Sequence, residues 1–120
     1  MSGAQRRKGR EGEHEARAIF ERYGFDVRPL QAGRFGREDA GDFLAARWTD
    51  ELGALDKIVL VCDAKRREKV RVVEWARALE ALVQSTAERN GEVPVVVWRQ
   101  SREPWRVTLL AEDFARMLGR

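Results

Sequence analysis

Asp63 and Lys65 stand two residues apart at the end of an apolar run, Ile58-Val-Leu-Val-Cys62. A strand sends successive side chains to opposite faces, so this carboxylate and ammonium project together while Ala64 points away. A second acid, Asp42, follows Gly41 and opens the apolar stretch Phe43-Leu44-Ala45. Cleaving a phosphodiester needs an activated water, neutralised phosphoryl oxygens and help for the leaving oxygen. Carboxylate-held Mg²⁺ can supply all three. Asp42 and Asp63 are therefore candidate ligands for one or two Mg²⁺ (or Mn²⁺) ions, with the Ala64 carbonyl as a further hard oxygen. Lys65 would orient the attacking hydroxide or stabilise charge that develops in the transition state. Glu13 is the fourth candidate. It lies one helical turn before Ala16, roughly 60° from the centre of the apolar face, where it would meet the ion directly or through a water. An acid leaning that way is costly without a metal or hydrogen-bond partner.

Taken singly, each element has a plain structural explanation. Acid-x-lysine is a common strand end, Gly-Asp marks many turns, and Glu13 suits the start of a helix. The order of the set carries more weight: helix acid, strand acid, acid-x-lysine, then a basic run.

Charge points the same way. The chain has 120 residues, a net charge of +3 and 36% charged residues, and its cations are unevenly spread. Arg6, Arg7, Lys8 and Arg10 crowd the N-terminus, and Lys65, Arg66, Arg67, Lys69 and Arg71 follow the second apolar run. Basic clusters beside acids fit a polyanion that must approach carboxylates through a metal, so nucleic acid is the expected partner. Arg34 and Arg37, around Phe35, could add a loop that probes the substrate. The single cysteine, Cys62, excludes an intramolecular disulfide and a zinc ribbon, and its place in an apolar run makes it a buried thiol. There is no signal peptide or membrane-length apolar stretch, so an intracellular protein is expected. His14, the only histidine, should point away from Glu13 to the surface.

Positioning the acids requires an ordered set of elements. Residues 1–9 read as a mobile basic arm. A helix is expected from about Arg10 to Tyr23, with Ala16, Ile19, Phe20 and Tyr23 on one face and Gly24 as its stop. A strand is expected over 25–30, a loop over 31–40, and a second strand from about Asp42 to Trp48. A polar turn over 49–56 then leads into the strand 57–65, forming an antiparallel pair. A helix from about Val72 to Asn90 has an apolar arc wider than one contact requires, which reads as a subunit interface. Val93–Trp98 should be a central strand and Trp105–Leu110 a strand nearer an edge, followed by a short helix over 112–118. The tryptophans (48, 75, 98, 105) are expected in core or interface. The order is α-β-β-β-α-β-β-α, an α/β fold in one domain spanning 1–120.

The same order resembles the PD-(D/E)xK nuclease superfamily, and more narrowly the archaeal-type Holliday-junction resolvases. Arg7-Lys8-Gly9 followed by Glu13 resembles that family's N-terminal signature. Gly41-Asp42-Phe43-Leu44-Ala45 resembles its aspartate strand, and Cys62-Asp63-Ala64-Lys65 its acid-x-lysine strand end. Pro94-Val-Val-Val and Trp105-Arg106-Val107 resemble its last strand pair. The resemblance implies a restriction-endonuclease-like mixed five-stranded sheet flanked by helices. It also implies Mg²⁺-dependent nicking of four-way DNA junctions by a homodimer, with Glu13, Asp42, Asp63 and Lys65 as the active site. Phosphate contacts would come from Arg6, Arg7, Lys8, Arg10, Arg34, Arg37, Arg66, Arg67 and Lys69. Two positions depart from the family: Asp63 stands where Glu is usual, and residues 31–40 contain no Ser or Thr where the family carries a serine, so either Gln31 substitutes or that contribution is absent. The alternatives are a nuclease of the same superfamily for duplex, flapped or damaged DNA, and a DNA-binding module without catalysis.

Overall fold

The structure is a computed structural model that describes residues 3–30, 42–51, 54–84 and 92–118, with side chains described for 10–30, 42–48, 57–84 and 92–118. Its elements run α1 (Gly3–Arg22), β1 (Asp26–Pro29), β2 (Phe43–Glu51), β3 (Ala54–Arg66), α2 (Val72–Gln84), β4 (Val93–Arg99), β5 (Arg106–Thr108) and α3 (Ala111–Leu118). The expected order α-β-β-β-α-β-β-α is the observed one.

The five strands form one mixed sheet in the order β1-β2-β3-β4-β5. β1, β2 and β3 form an antiparallel meander, β3 and β4 are parallel, and β5 returns antiparallel at the edge. A parallel neighbour needs a crossover, and α2 supplies it between β3 and β4. The sheet is buried on both faces, which explains the continuous apolar runs in β3 and β4. Ala16, Phe43, Ala45, Leu60, Cys62, Val93, Val95 and Val97 form the core beneath α1. Val61, Leu79, Val83 and Val96 form the core beneath α2.

Several boundaries differ from expectation. α1 starts at Gly3, so residues 3–9 are helix rather than a mobile arm. Ala, Gln, Arg and Lys are good helix formers, no proline precedes Pro29, and the cost of about 1 kcal/mol for a helical glycine does not stop propagation. Tyr23, expected on the buried face, is exposed because the helix has already ended. The Gly24 stop is as read: with φ at +91° it closes a Schellman cap, its N–H donating to the Glu21 carbonyl and the Phe25 N–H to the Phe20 carbonyl. The polar turn expected over 49–56 is mostly strand, since β2 and β3 remain paired out to Glu51 and Ala54. Sustained backbone pairing outweighs the polarity of that segment. The end of the helix expected to reach Asn90 lies outside the described residues.

α1 is seated closely on the sheet. A Cβ added at Gly12 would come within 3.1 Å of the Arg66 Cβ, with the Trp105 ring beyond it at 3.7 Å. The Arg66 Cβ is fixed to a strand and cannot swing aside. Gly12→Val is therefore expected to lift α1 and lower stability by about 1–3 kcal/mol, despite the better helix propensity of a residue other than glycine. Urea denaturation would show it, and an unchanged midpoint would contradict this account of the contact.

Candidate active site

Asp42 lies just before β2 and is held from three directions. Its N–H donates to the Cys62 carbonyl at 2.8 Å, and its carbonyl accepts the Leu30 N–H at 3.3 Å. Its carboxylate Oδ2 accepts the Ala64 N–H at 2.6 Å. The aspartate is thus fixed against β3 at the acid-x-lysine itself.

Strand alternation sorts the other groups. Cys62 and Ala64 face the α1 core, and Val61 faces the α2 core. Asp63 and Lys65 therefore project on the α2 side. Lys65 Nζ lies 3.5 Å from Asp63 Oδ2, and both side chains are largely covered, at 27% and 15% exposure. Burial pushes the Asp63 carboxyl up to about 7; Lys65 opposes that rise, while the Asp42 charge and a hydrogen bond with Asp42 reinforce it. Glu13 arrives from α1 on the opposite side of the sheet. Burial raises its carboxyl first and Asp42 second, with Arg17 and His14 pulling it back. Asp42 is the hub that both other acids feel. Asp42 thus links electrostatically the Asp63 carboxyl on one face of the sheet with Glu13 on the other.

Burial and both neighbouring aspartates push the Cys62 thiol far up, so it is an inert core group rather than a nucleophile. His14 is exposed, as expected. Among the described residues, no group of three or more His, Cys, Asp or Glu is gathered closely enough to hold a metal ion by itself. The carboxylates brought together are Asp42 and Asp63, with Glu13 near enough to feel the Asp42 charge. A surface cleft lined by Lys57, Ile58, Val93, Asp113 and Met117 lies at the other end of the described part of β3 and contains none of these residues.

The basic residues divide. Arg67, Lys69 and Arg10 are exposed, with one Arg67 nitrogen (Nη1) donating to the Arg66 carbonyl at 3.0 Å. Arg66 does not fit its expected role as a free phosphate contact, because it faces α1 and pairs with Glu15 at 3.4 Å and Glu11 at 3.6 Å. The side chains of Arg6, Arg7 and Lys8, and the whole of Arg34 and Arg37 with the 31–40 loop, lie outside the described residues. On the helical wheel Glu15 falls farther toward solvent than Glu13, and nothing in the sequence marks Arg99. In the structure Glu15 is half-buried and also pairs with Arg99 at 3.0 Å. Helical periodicity carried no signal for this, since the partners sit on two strands more than fifty residues away. Trp75, Trp98 and Trp105 pack against the cores as expected, whereas Trp48 is exposed beside Lys57.

The mixed five-stranded sheet with flanking helices is a fold seen before. Among solved structures, the chain superposes on the 1.6 Å structure of Archaeoglobus fulgidus Hjc, a Holliday junction resolvase from an archaeal hyperthermophile. The TM-score is 0.55 and the identity 15%, over 81% of this chain and 72% of that one. At that identity the likeness is one of fold. No family model matches the sequence, and no curated protein matches it. Among the described residues no helix is long and apolar enough to cross a membrane.

Proposed function

We propose that this chain is a divalent-metal-dependent DNA endonuclease that resolves four-way junctions by paired nicks as a homodimer. The observation that carries the reading is the pairing of two largely covered carboxylates, Asp42 and Asp63, beside Lys65 at the end of a sheet of the resolvase fold. Acids at such close quarters are unfavourable, Lys65 offsets this only in part, and a cation would relieve them. Mg²⁺ is ordinarily held by one or two carboxylates together with waters and substrate phosphate oxygens, so this donor pair fits it. Asp42 and Asp63 would hold the ion with the Ala64 carbonyl, and Glu13 would reach it through a water. When bound, the ion supplies an activated water and neutralises phosphoryl charge. Asp42, pinned by the Ala64 N–H, presents one carboxylate edge without conformational search. Lys65, held against Asp63, is positioned to donate to an oxygen that gains charge.

Two matched nicks call for two sites related by a two-fold axis, which an isologous dimer provides. α2 spends most of its apolar arc on the sheet: Leu79 and Val83 are buried and Trp75 and Ala76 partly so, leaving Val73 at 59% exposure. Further exposed apolar side chains, Leu110, Phe114 and Leu118, recur every fourth residue along and just before α3. These are the candidate interface.

The test is cleavage of a labelled four-way junction and a matched duplex with Mg²⁺. Symmetric paired nicks in the junction alone support the proposal. Equal cutting of the duplex would assign the site to another DNA substrate, and metal-independent binding without cleavage would make the chain a DNA-binding module. Salt dependence gives a separate check. Arg67→Ala with Lys69→Ala should flatten the slope of log affinity against log salt by up to about 1.8, for two lost phosphate contacts. Arg66→Ala should instead lower stability by about 1–2 kcal/mol, because it breaks a partly covered ion-pair cluster. The reverse pattern would mean that Arg66 leaves α1 to bind DNA.

A further inference from the structure

Arg66 and Arg99 are register partners on the parallel strands β3 and β4 and face α1 side by side. Both forks close on one carboxylate: Arg99 Nη2 lies 3.0 Å from Glu15 Oε1, and Arg66 Nη1 lies 3.4 Å from Glu15 Oε2. Glu15 thus divides its two oxygens between two strands. The arginines are well covered, at 23% and 14% exposure, and the Nε of each is buried without a hydrogen-bond partner. Both are packed as well: the Arg66 stem lies close over Gly12, and the Arg99 guanidinium lies over the Trp105 ring at 5.6 Å. Leaving two guanidinium nitrogens unpaired is expensive for a tie that only glues a helix to a sheet, because apolar packing would do that without the desolvation cost. What such a tie supplies is direction, since a carboxylate between two forks accepts few arrangements.

The direction matters because of what lies between the anchors. Gly12, in contact with Arg66, precedes Glu13 by one residue, and Glu15 follows it by two. The Glu13 carboxyl is raised in part by the Asp42 charge. We infer that Glu15, gripping Arg66 and Arg99, is a positioning residue that fixes the rotation and height of α1 so that Glu13 stands within range of Asp42. The catalytic consequence rests on the proposed hydrolytic site, whereas the geometric one does not.

Two readouts separate these. The first needs no activity. Glu13→Gln and Asp42→Asn, alone and together, give by urea unfolding the non-additive shift that reports electrostatic coupling between the two acids. That shift should be present in the wild-type background. It should fall to less than half in a Glu15→Asp background, which keeps the charge but shortens the tie by one methylene, and likewise in Glu15→Gln. Glu15→Asp guards against the case in which Glu15→Gln fails to fold. A coupling unchanged by Glu15→Asp overturns the inference whatever the protein's activity. The second readout is single-turnover cleavage of junction DNA with Mg²⁺. Glu15→Asp should slow it about tenfold with DNA affinity unchanged, and should slow the Glu13→Gln variant no further. Losses that multiply would overturn the inference, because Glu15 would then act independently of Glu13. A wild-type protein with the Glu13–Asp42 coupling but no cleavage of any DNA would sink the proposed function and leave the positioning role supported.

Discussion

Asp63→Asn is expected to abolish metal-dependent cleavage and at the same time to stabilise the metal-free protein above neutral pH. The catalytic half follows from the proposed role of Asp63 as one of two charged ligands, and a drop of at least about 10³-fold in rate is expected for removal of such a group. The stability half follows from the Asp63 carboxyl, which burial and Asp42 push up to about 7 against an ordinary 3.8. Between those values the folded protein holds a proton that the unfolded chain has released, so stability falls as pH rises from about 4 and the cost is complete above about 7. The neutral amide avoids this cost, but it also gives up the contact with Lys65. The net gain at pH 8 should be on the order of 2 kcal/mol, or about 5–10 °C in Tm. Below pH 4 the gain should vanish. Thermal unfolding of both proteins from pH 4 to 9 checks the sign, and a variant less stable than wild type at pH 8 would mean that the Lys65 contact outweighs burial. Mg²⁺ adds a further check: saturating ion should raise the Tm of the wild type and leave that of Asp63→Asn nearly unmoved.

Asp42→Ala should destroy activity to a similar degree but move stability the opposite way. The Ala64 N–H, part-buried in a central strand, would lose the carboxylate that accepts it at 2.6 Å. A charge-assisted hydrogen bond of this kind is worth about 1.5–3 kcal/mol, and an abandoned buried donor costs a comparable amount. Relief of the repulsion felt by Asp63 and Glu13 returns part of it, so a net loss of about 1–2 kcal/mol is expected. Two aspartates in one site would then have opposite effects on Tm: Asp63 held at a cost to folding, Asp42 a fixed part of the architecture. If both variants were stabilised, Asp42 would be only another strained ligand, and the hydrogen bond to Ala64 would contribute little.

Residue type and period alone made much of this legible. The apolar runs of β3 and β4 marked strands buried on both faces, because a sheet covered twice has no polar side to alternate with. Gly24 marked the end of α1 through a backbone conformation that other residues resist. The spacing of Asp63 and Lys65 placed both on one face, as any two-residue step in a strand must. Glu13, Asp42 and the acid-x-lysine were picked out by kind and order, and the fold resembles the one that their order implied.

What the chain could not disclose depended on partners distant in sequence. No local rule says that the Asp42 carboxylate turns to a backbone N–H on the neighbouring strand rather than to solvent. None says that Arg66, one residue beyond the site lysine, faces the opposite way and is consumed by Glu15. Charge composition counted Arg66 among the cations free for phosphate, and only register against β4 and the seat of α1 revealed otherwise. Strand alternation alone sets the Asp63 carboxylate and the Lys65 ammonium together at the end of a buried strand, since alternation is a property of the chain. That Asp42 would be their hub was decided only by tertiary structure, because it depends on where three separate backbones meet.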